Sequence, residues 1–424
     1  MRQEVVCWVT QASNIRWLYA STATFGVIQG GATAYLPVFL ARLGASAFEI
    51  GLLTAAQALL SMVILIPSGL VAERFRDQVR LRVWTEVAIY VPTLILALCP
   101  FFVPLEALPA VAIVLCTIQA IPMALETSAF LTVFAQAFPP DRIAHINGVR
   151  WALMGLTAAA SVAVFGRSLD LLPFPLNYQI VFGLTWAAGM CNAALFARIR
   201  VPHLPGTRVS GTPRTSSLLA AVSSRVRAYG RSVMGQPAFV RYLLATLPFR
   251  IALMLPEALY SLFWVNSLEA SDSLIGLRGT AVFAAQLIGF VSWGRLANRL
   301  GHRRVLFMSA ILAGLYPICT GLAPTAAWLV LIAVIWGLGY SGIRIALFDM
   351  MIVSVPAEMM PRFASLYSLA ERFSMFVGPL LGVALSQATS LRSALLWIGA
   401  IQLAASAAFF LLPRTQRGEH EAPT

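Results

Sequence analysis

The sequence predicts an all-α membrane protein with twelve transmembrane helices in two six-helix bundles that are related by an internal repeat. Of its 424 residues, 59% are hydrophobic and only 11% are charged, whereas charged residues make up about 25% of an ordinary soluble domain. Apolar runs long enough to cross a bilayer recur along the whole chain. Polar residues also recur at one fixed distance, which indicates two related halves.

The predicted spans are apolar runs separated by charges and by Pro and Gly clusters. We place them at 17–41, 48–71, 82–103, 107–135, 145–168, 177–198, 240–266, 274–296, 304–322, 326–353, 364–387 and 391–412. Because the number of spans is even, both termini lie on the same side of the membrane.

The arginines predict which side that is, since the chain contains no lysine. The loops after the even-numbered runs and the linker carry most of them, whereas the opposite loops hold only Arg42, Arg167 and Arg392 beside several acids. Excess basic residues mark cytoplasmic loops. We therefore expect a multi-pass protein of the plasma membrane with both termini in the cytoplasm.

A shift of the chain by 225 residues without gaps superposes its two halves. Apolar matches arise by chance in this composition, so matched arginines, tyrosines and glycines carry the argument. The pairs include Arg16 with Arg241, Tyr35 with Tyr260, Gly51 with Gly276, Gly69 with Gly294, and Arg74 with Arg299. Six spans are therefore followed by six related spans.

The repeat and the polar segments give a domain organisation. We predict an N-terminal bundle at 1–199, a cytoplasmic linker at 200–236, a C-terminal bundle at 237–413 and a cytoplasmic tail at 414–424. Apolar residues between 218 and 233 recur at helical spacing with arginines between them. Such a segment is either an amphipathic helix on the membrane surface or a disordered basic linker.

Two charged stretches occupy matching positions in the halves: GLVAERFRDQVR at 69–80 and GRLANRLGHRR at 294–304. They resemble the loop motif G-x-L-A-D-R-x-G-R-R of the major facilitator superfamily, which lies between spans two and three and between spans eight and nine. The motif positions are Gly69, Glu73 and Arg74 in the first copy and Gly294, Asn298, Arg299 and Arg303 in the second, where Asn298 replaces the acid.

This resemblance implies a secondary active transporter that moves a small organic solute by alternating access, with spans one, four, seven and ten around a central cavity. It also implies a gate in which glycine permits a tight turn. Glu73 would lie at the positive N-terminal end of span eleven, and Arg74 would pair with an acid on a neighbouring span. These contacts would latch the cytoplasmic side. The alternative is that the motif arginines only fix topology.

Polar side chains within the spans are the candidates for solute or proton binding, because a charge at the bilayer centre costs about 2.5–3.5 kcal/mol or more. They are Gln29, Gln119, Glu126 and Arg150 in the first half, and Arg250, Glu257, Tyr340, Arg344 and Asp349 in the second.

Two interpretations remain for each of these charges. One is a salt bridge inside a single bundle. The other is contact with the solute or carriage of a proton, since a carboxyl in a low-dielectric cavity takes up protons readily. Glu126, Asp349 and Glu257 are the candidate proton carriers, and the topology brings Glu126 near Arg150. Gln29, Gln119 and Tyr340 either hydrogen-bond a solute or pack helices.

Several classes of function find no support in the sequence. There is no Walker motif, no metal-binding or catalytic constellation, and the basic residues lie between apolar runs rather than on a nucleic-acid-binding face. We therefore expect no enzyme activity, cofactor, metal or nucleic acid, and a monomer in the bilayer. A non-cycling membrane sensor or scaffold is the alternative function. Among transporters, proton-driven efflux of lipophilic compounds and symport of a sugar or metabolite both remain open.

Overall fold

The computed structural model describes residues 2–72, 74–139, 142–201, 236–354 and 360–412. Its helices are α1 (Arg2–Ile28, continued by Ala34–Arg42), α2 (Ala47–Ala72), α3 (Gln78–Leu98), α4 (Leu108–Ala137), α5 (Ile143–Leu171), α6 (Leu176–Phe196), α7 (Pro237–Met254, continued by Glu257–Leu262), α8 (Asp272–Leu300), α9 (His302–Leu322), α10 (Trp328–Val353), α11 (Met360–Ala388) and α12 (Leu391–Ser406).

Twelve helices in the described residues are long and apolar enough to cross a membrane, as the sequence predicts. Helices α1 to α6 form the first half and α7 to α12 the second. Helix pairs α2 with α4, α3 with α6 and α1 with α5 pack together, and each pair has its counterpart six helices later. Two seams join the halves, α5 against α8 and α2 against α11. The predicted linker helix and the tail lie outside the described residues.

The first helix of each half is interrupted at equivalent positions. In α1 the helix is irregular over Gln29–Thr33, and Gly31 has non-helical backbone angles. In α7 the break falls at Leu255 and Pro256, 225 residues after Gly31 in the repeat. The Ala32 amide near the first break donates to Thr185 Oγ1 at 3.1 Å, because an amide at membrane depth needs a partner within the protein.

The turns after these two helices also correspond. Gly44 and Glu269, again 225 residues apart, both have positive φ angles, of 79° and 48°. In the second charged motif the tight turn is made by Gly301, with φ 85°. Gly69 and Gly294 lie within α2 and α8 instead, so these two glycines do not form the turn expected from the sequence.

The largest apolar cluster contains residues of both halves, including Tyr35, Phe39, Tyr260 and Phe263. It lies near Arg42 and Asp272, and we call this the sealed end. The next two clusters each belong to one half, around Tyr242 and Phe363 in the second and around Leu18 and Phe196 in the first. The halves therefore share one core at the sealed end and have separate cores at the opposite end, where the charged motifs lie.

Candidate functional site

Asp272, at the start of α8, is the centre of the polar contacts across the sealed end. Its Oδ1 accepts from Tyr178 Oη at 2.8 Å and from Arg42 Nη2 at 3.3 Å. Its backbone carbonyl accepts from Tyr35 Oη at 3.5 Å. Arg42 also donates to the carbonyl of Ala270. Three side chains of the first half thus converge on the first residue of a second-half helix.

A carboxylate of the first half also caps that helix. Asp170 Oδ1 accepts from the Asp272 amide at 2.9 Å, and Oδ2 accepts from the Ser273 amide at 3.0 Å. These amides lie at the helix N-terminus, where the helix dipole favours a negative charge. Further along the seam Thr280 Oγ1 donates to the Ala159 carbonyl at 2.8 Å. Every hydrogen bond between the halves that joins described residues lies on this side of the molecule.

Small residues let α5 and α8 approach closely at the sealed end and show where the helices separate. A Cβ built on Gly276 would lie 2.5 Å from Tyr35 Oη, and one on Gly279 would lie 3.0 Å from Val162. Gly155 and Gly148 precede Val162 by one and two heptads on the same face of α5, yet a Cβ there would meet nothing within 4 Å. The two helices therefore diverge toward the opposite end.

A buried cluster of charges occupies the first half. Arg82 on α3 pairs with Glu86 on the same helix, and its Nε lies 3.0 Å from Glu126 Oε1 on α4. Its guanidinium also lies 4.2 Å from the centroid of the Phe196 ring. Asn192 Nδ2 donates to Glu86 Oε1 at 3.0 Å. Arg82 is 6% exposed and Glu86 2%, so water does not solvate these charges and each is compensated by the other.

The remaining candidates of the first half have other neighbours. Arg150 does not form the ion pair with Glu126; its Nε donates to Asn147 Oδ1 at 3.2 Å and its guanidinium lies 4.7 Å from the centroid of the Phe130 ring. Gln119 Nε2 donates to the Ile89 carbonyl at 2.6 Å, which joins α4 to α3. Gln29 lies in the irregular turn of α1.

In the second half, Glu257 begins the short helix that follows the break in α7. Its side chain is exposed although it lies deep in the molecule, so it lines an internal space. Arg278 on α8 is the charge that acts on it. A row of rings begins next to this pair, with centroids 4.9 Å apart for Tyr260 and Tyr316, 5.1 Å for Tyr316 and Trp336, and 5.6 Å for Trp336 and Tyr340.

The row of rings ends at an ion pair between α10 and α11. Arg344 Nη1 lies 2.9 Å from Glu371 Oε1, and the two side chains are 44% and 38% exposed. The Arg344 guanidinium is 6.0 Å from the centroid of the Tyr340 ring. Because the pair is exposed, a solute in the space between the halves would reach it.

Two other candidates of the second half are held within their own bundle. Arg250 Nη2 donates to Tyr242 Oη at 3.1 Å, and its guanidinium lies 4.2 Å from the centroid of the Tyr367 ring. Asp349 Oδ2 lies 3.1 Å from His302 Nδ1. Both sets of contacts lie toward the opposite end rather than beside Glu257.

The charged motifs lie at the opposite end. Arg303 Nη2 donates to the Phe410 carbonyl at 2.9 Å, within the second half. Arg74 and Asn298 are exposed, and Arg299 makes a contact of its own. Glu73 and the side chains of 360–362 lie outside the described residues, so the latch expected there stays a prediction.

Sequence reasoning missed several of these residues. Arg82 lies at the start of the third predicted span, among the arginines that follow the second run, and its spacing of four from Glu86 in a helical run is a visible signal of a pair. Asp170 and Asp272 lie in the loops with few arginines, and only their contacts across the seam set them apart. In the described residues no cluster of His, Cys, Asp and Glu could hold a metal ion.

Comparison with known proteins identifies the fold. No curated protein sequence matches the chain. Solved structures similar to it include a mutant of the nucleoside transporter NupG, with a TM-score of 0.74 at 10% identity over 94% of this chain and 99% of that one. A POT family transporter in complex with 5-aminolevulinic acid has a TM-score of 0.70 at 12% identity, over 94% of each chain.

The sequence of the second half matches a known family. Residues 242–424 match the family model of the Major Facilitator Superfamily. This match covers the C-terminal part of the chain, and the solved structures above share the fold of both halves. Together with twelve helices that are long and apolar enough to cross a membrane, the match indicates a multi-pass membrane protein, and the similar solved structures are transporters.

Proposed function

We propose that this protein is a secondary active transporter that carries a small organic solute by alternating access, with the solute bound between the halves. The observation that carries the proposal is the asymmetry of the seams. Hydrogen bonds and close glycine contacts join the halves at the sealed end, whereas α5 and α8 diverge toward the opposite end. A carrier caught in one of its two states has this form.

The orientation follows from the arginines. The sealed end holds the loops with few of them, and the opposite end holds the basic motifs, so the positive-inside rule puts the sealed end outside the cytoplasm. We accordingly propose a plasma-membrane protein with cytoplasmic termini, described here in an inward-facing state. The interior charges favour a polar solute over a lipophilic one. The similar structures named for nucleoside transport and 5-aminolevulinic acid also concern polar molecules.

The proposed transport cycle predicts reciprocal changes at the two ends. In a background without the five native cysteines, Ala270→Cys places a thiol in the seal, where Ala270 is 1% exposed, and Gly148→Cys places one on the diverging face of α5. Adding Asp272→Asn should raise maleimide labelling at the first position and lower it at the second. Glu106→Gln, at an exposed site, is the control. Opening of the seal without protection at Gly148→Cys favours a non-cycling sensor instead.

We also propose that transport is coupled to protons through Glu126. Its partner Arg82 is shared with Glu86, so a movement of α4 relative to α3 would separate Glu126 from its counter-charge and favour its protonation. The labelling ratio of the two cysteine reporters should then depend on pH in the parent protein and lose that dependence in Glu126→Gln. A ratio with the same pH dependence in both proteins argues against Glu126 as the carrier.

A further inference from the structure

The pocket around Glu257 contains polar groups that the protein itself leaves without partners. Tyr260 Oη and Trp264 Nε1 belong to side chains that are 6% and 7% exposed, and neither has a hydrogen-bond partner among the described residues; the same holds for Arg278 Nε. Buried donors without acceptors are rare because their desolvation is uncompensated. Three of them beside one cavity-facing carboxylate indicate that an absent molecule completes the set.

The repeat provides an internal comparison. Tyr35 is the equivalent of Tyr260 in the first half, and its hydroxyl donates to the Val162 carbonyl at 2.7 Å. The tyrosine hydroxyl at this repeat position thus makes a hydrogen bond in the first half and none in the second. The orphan hydroxyl is therefore not a general consequence of a tyrosine at this position of the fold.

The two charges of the pocket are also held apart. Arg278 donates to Tyr316 Oη, and its guanidinium lies 4.1 Å from the centroid of the Trp264 ring. Glu257 interacts electrostatically with Arg278, yet neither of its carboxylate oxygens lies within 4.0 Å of a guanidinium nitrogen of Arg278, the distance that defines an ion pair. The arginine is fixed by other contacts, so a gap separates a free carboxylate from a guanidinium with an unused N–H.

We propose that this pocket binds a zwitterionic amino compound with a planar ring, an assignment that rests on the proposed transport function. The ligand's ammonium group would lie against Glu257. Its carboxylate would accept from Arg278 Nε, Trp264 Nε1 and Tyr260 Oη, and the bond from the guanidinium would be charge-assisted. Its ring would lie along Trp336 and Tyr340, which continue the row of aromatic side chains.

A panel of five compounds separates the required features, with binding read as thermal stabilisation of the purified full-length protein. Phenylalanine has both charges and a ring. Phenethylamine and 3-phenylpropionate each lack one charge, alanine lacks the ring, and uridine has a ring without either charge. We expect phenylalanine to stabilise most, and Glu257→Gln and Arg278→Gln to raise its apparent Kd about tenfold or more. The control Glu106→Gln should leave it unchanged.

A second variant distinguishes ligand binding from a structural role. Tyr260→Phe removes the orphan hydroxyl and keeps the ring, so the protein without ligand should melt at the same or a higher temperature while phenylalanine binds more weakly. A lower melting temperature with unchanged binding contradicts the proposal and assigns the hydroxyl to an internal water network. Stabilisation by uridine alone, stabilisation by 3-phenylpropionate as large as that by phenylalanine, or stabilisation by no member of the panel also contradicts it.

The two proposals fail separately. One outcome is that phenylalanine binds through Glu257 while proteoliposomes do not exchange it and the two cysteine reporters do not respond reciprocally. That result supports the pocket and contradicts the transport function. If the reporters respond reciprocally and phenylalanine does not bind, the transport function stands and the assignment of this ligand class falls.

Discussion

Arg82 holds two carboxylates at once, Glu86 on its own helix and Glu126 on α4. Removing one member of a buried charge set leaves its partners uncompensated, which costs about 3–5 kcal/mol. Arginine can serve both acids because its guanidinium has several donors in a planar fork, whereas lysine is a point charge. The cluster therefore needs this particular side chain.

Arg82→Gln should lower the free energy of unfolding by about 3–5 kcal/mol, and Arg82→Lys should recover only part of that loss. Unfolding of the purified protein by a denaturing detergent, followed by helical circular dichroism, measures both. Arg80→Gln, two residues away at an exposed site, is the matched control. Similar losses for Arg80→Gln and Arg82→Gln would show that the cluster has no special part in stability.

At this scale the sequence was informative about residue types and not about partners. Buried charges in the spans could be identified because they are costly in a bilayer. Which of them meet depends on helix rotation, which apolar runs do not define. Glu126 thus pairs with an arginine from α3 rather than with Arg150, and Asp349 with His302.

Among the helices, α5 and α8 carry the closest contact between the halves. Gly276 on α8 approaches Tyr35, Val162 and Gly166, and the equivalent Gly51 on α2 lies against Val383 on α11 at 3.1 Å from its built Cβ. Both seams therefore place a glycine at the same repeat position. The Gly276 contact is the tighter one, because a Cβ there would lie 2.6 Å from the backbone carbonyl of Val162.

Gly276→Ala should accordingly favour the state in which the seal is open. Its Cβ would lie 2.6 Å from the Val162 carbonyl, too close for backbone to tolerate, so labelling of Ala270→Cys should rise several-fold. Gly183→Ala, where a Cβ would meet nothing within 4 Å, should leave labelling unchanged. An unaltered rate in Gly276→Ala would show that the seam adapts without opening.

The helices themselves were largely predictable and their breaks were not. Apolar runs located all twelve, and the repeat offset paired Tyr35 with Tyr260 and Gly51 with Gly276. Proline did not reveal the interruptions, because Pro37, Pro67, Pro92, Pro122, Pro248, Pro317 and Pro379 lie inside continuous helices. Among the prolines of the described residues, Pro256 is the one at which a spanning helix ends and restarts, and the backbone groups freed there need partners within the protein.

In the molecule as a whole, Asp272 links the contacts of α1, α5 and α6 to the second half. Tyr178→Phe and Asp272→Asn should each raise labelling of Ala270→Cys, and the free-energy effect of the double variant should be smaller than the sum of the two. Residues that share one contact network are not additive. Additive effects would indicate that the two side chains act independently at the seal. Asp170→Asn with Asp272→Asn gives a second comparison of the same kind.

Asp272 accepts from three donors of the first half, two at its carboxylate and one at its backbone carbonyl, and this has a consequence for how the seal opens. Losing Asp272 from its position breaks the bonds from Arg42, Tyr178 and Tyr35 together, so partial opening retains little of their energy. The sealed end should consequently behave as a switch with two populations and few intermediates. Reversing such a population from 1:99 to 99:1 takes about 5.5 kcal/mol of differential binding, which the proposed solute would have to supply by binding one state more tightly than the other.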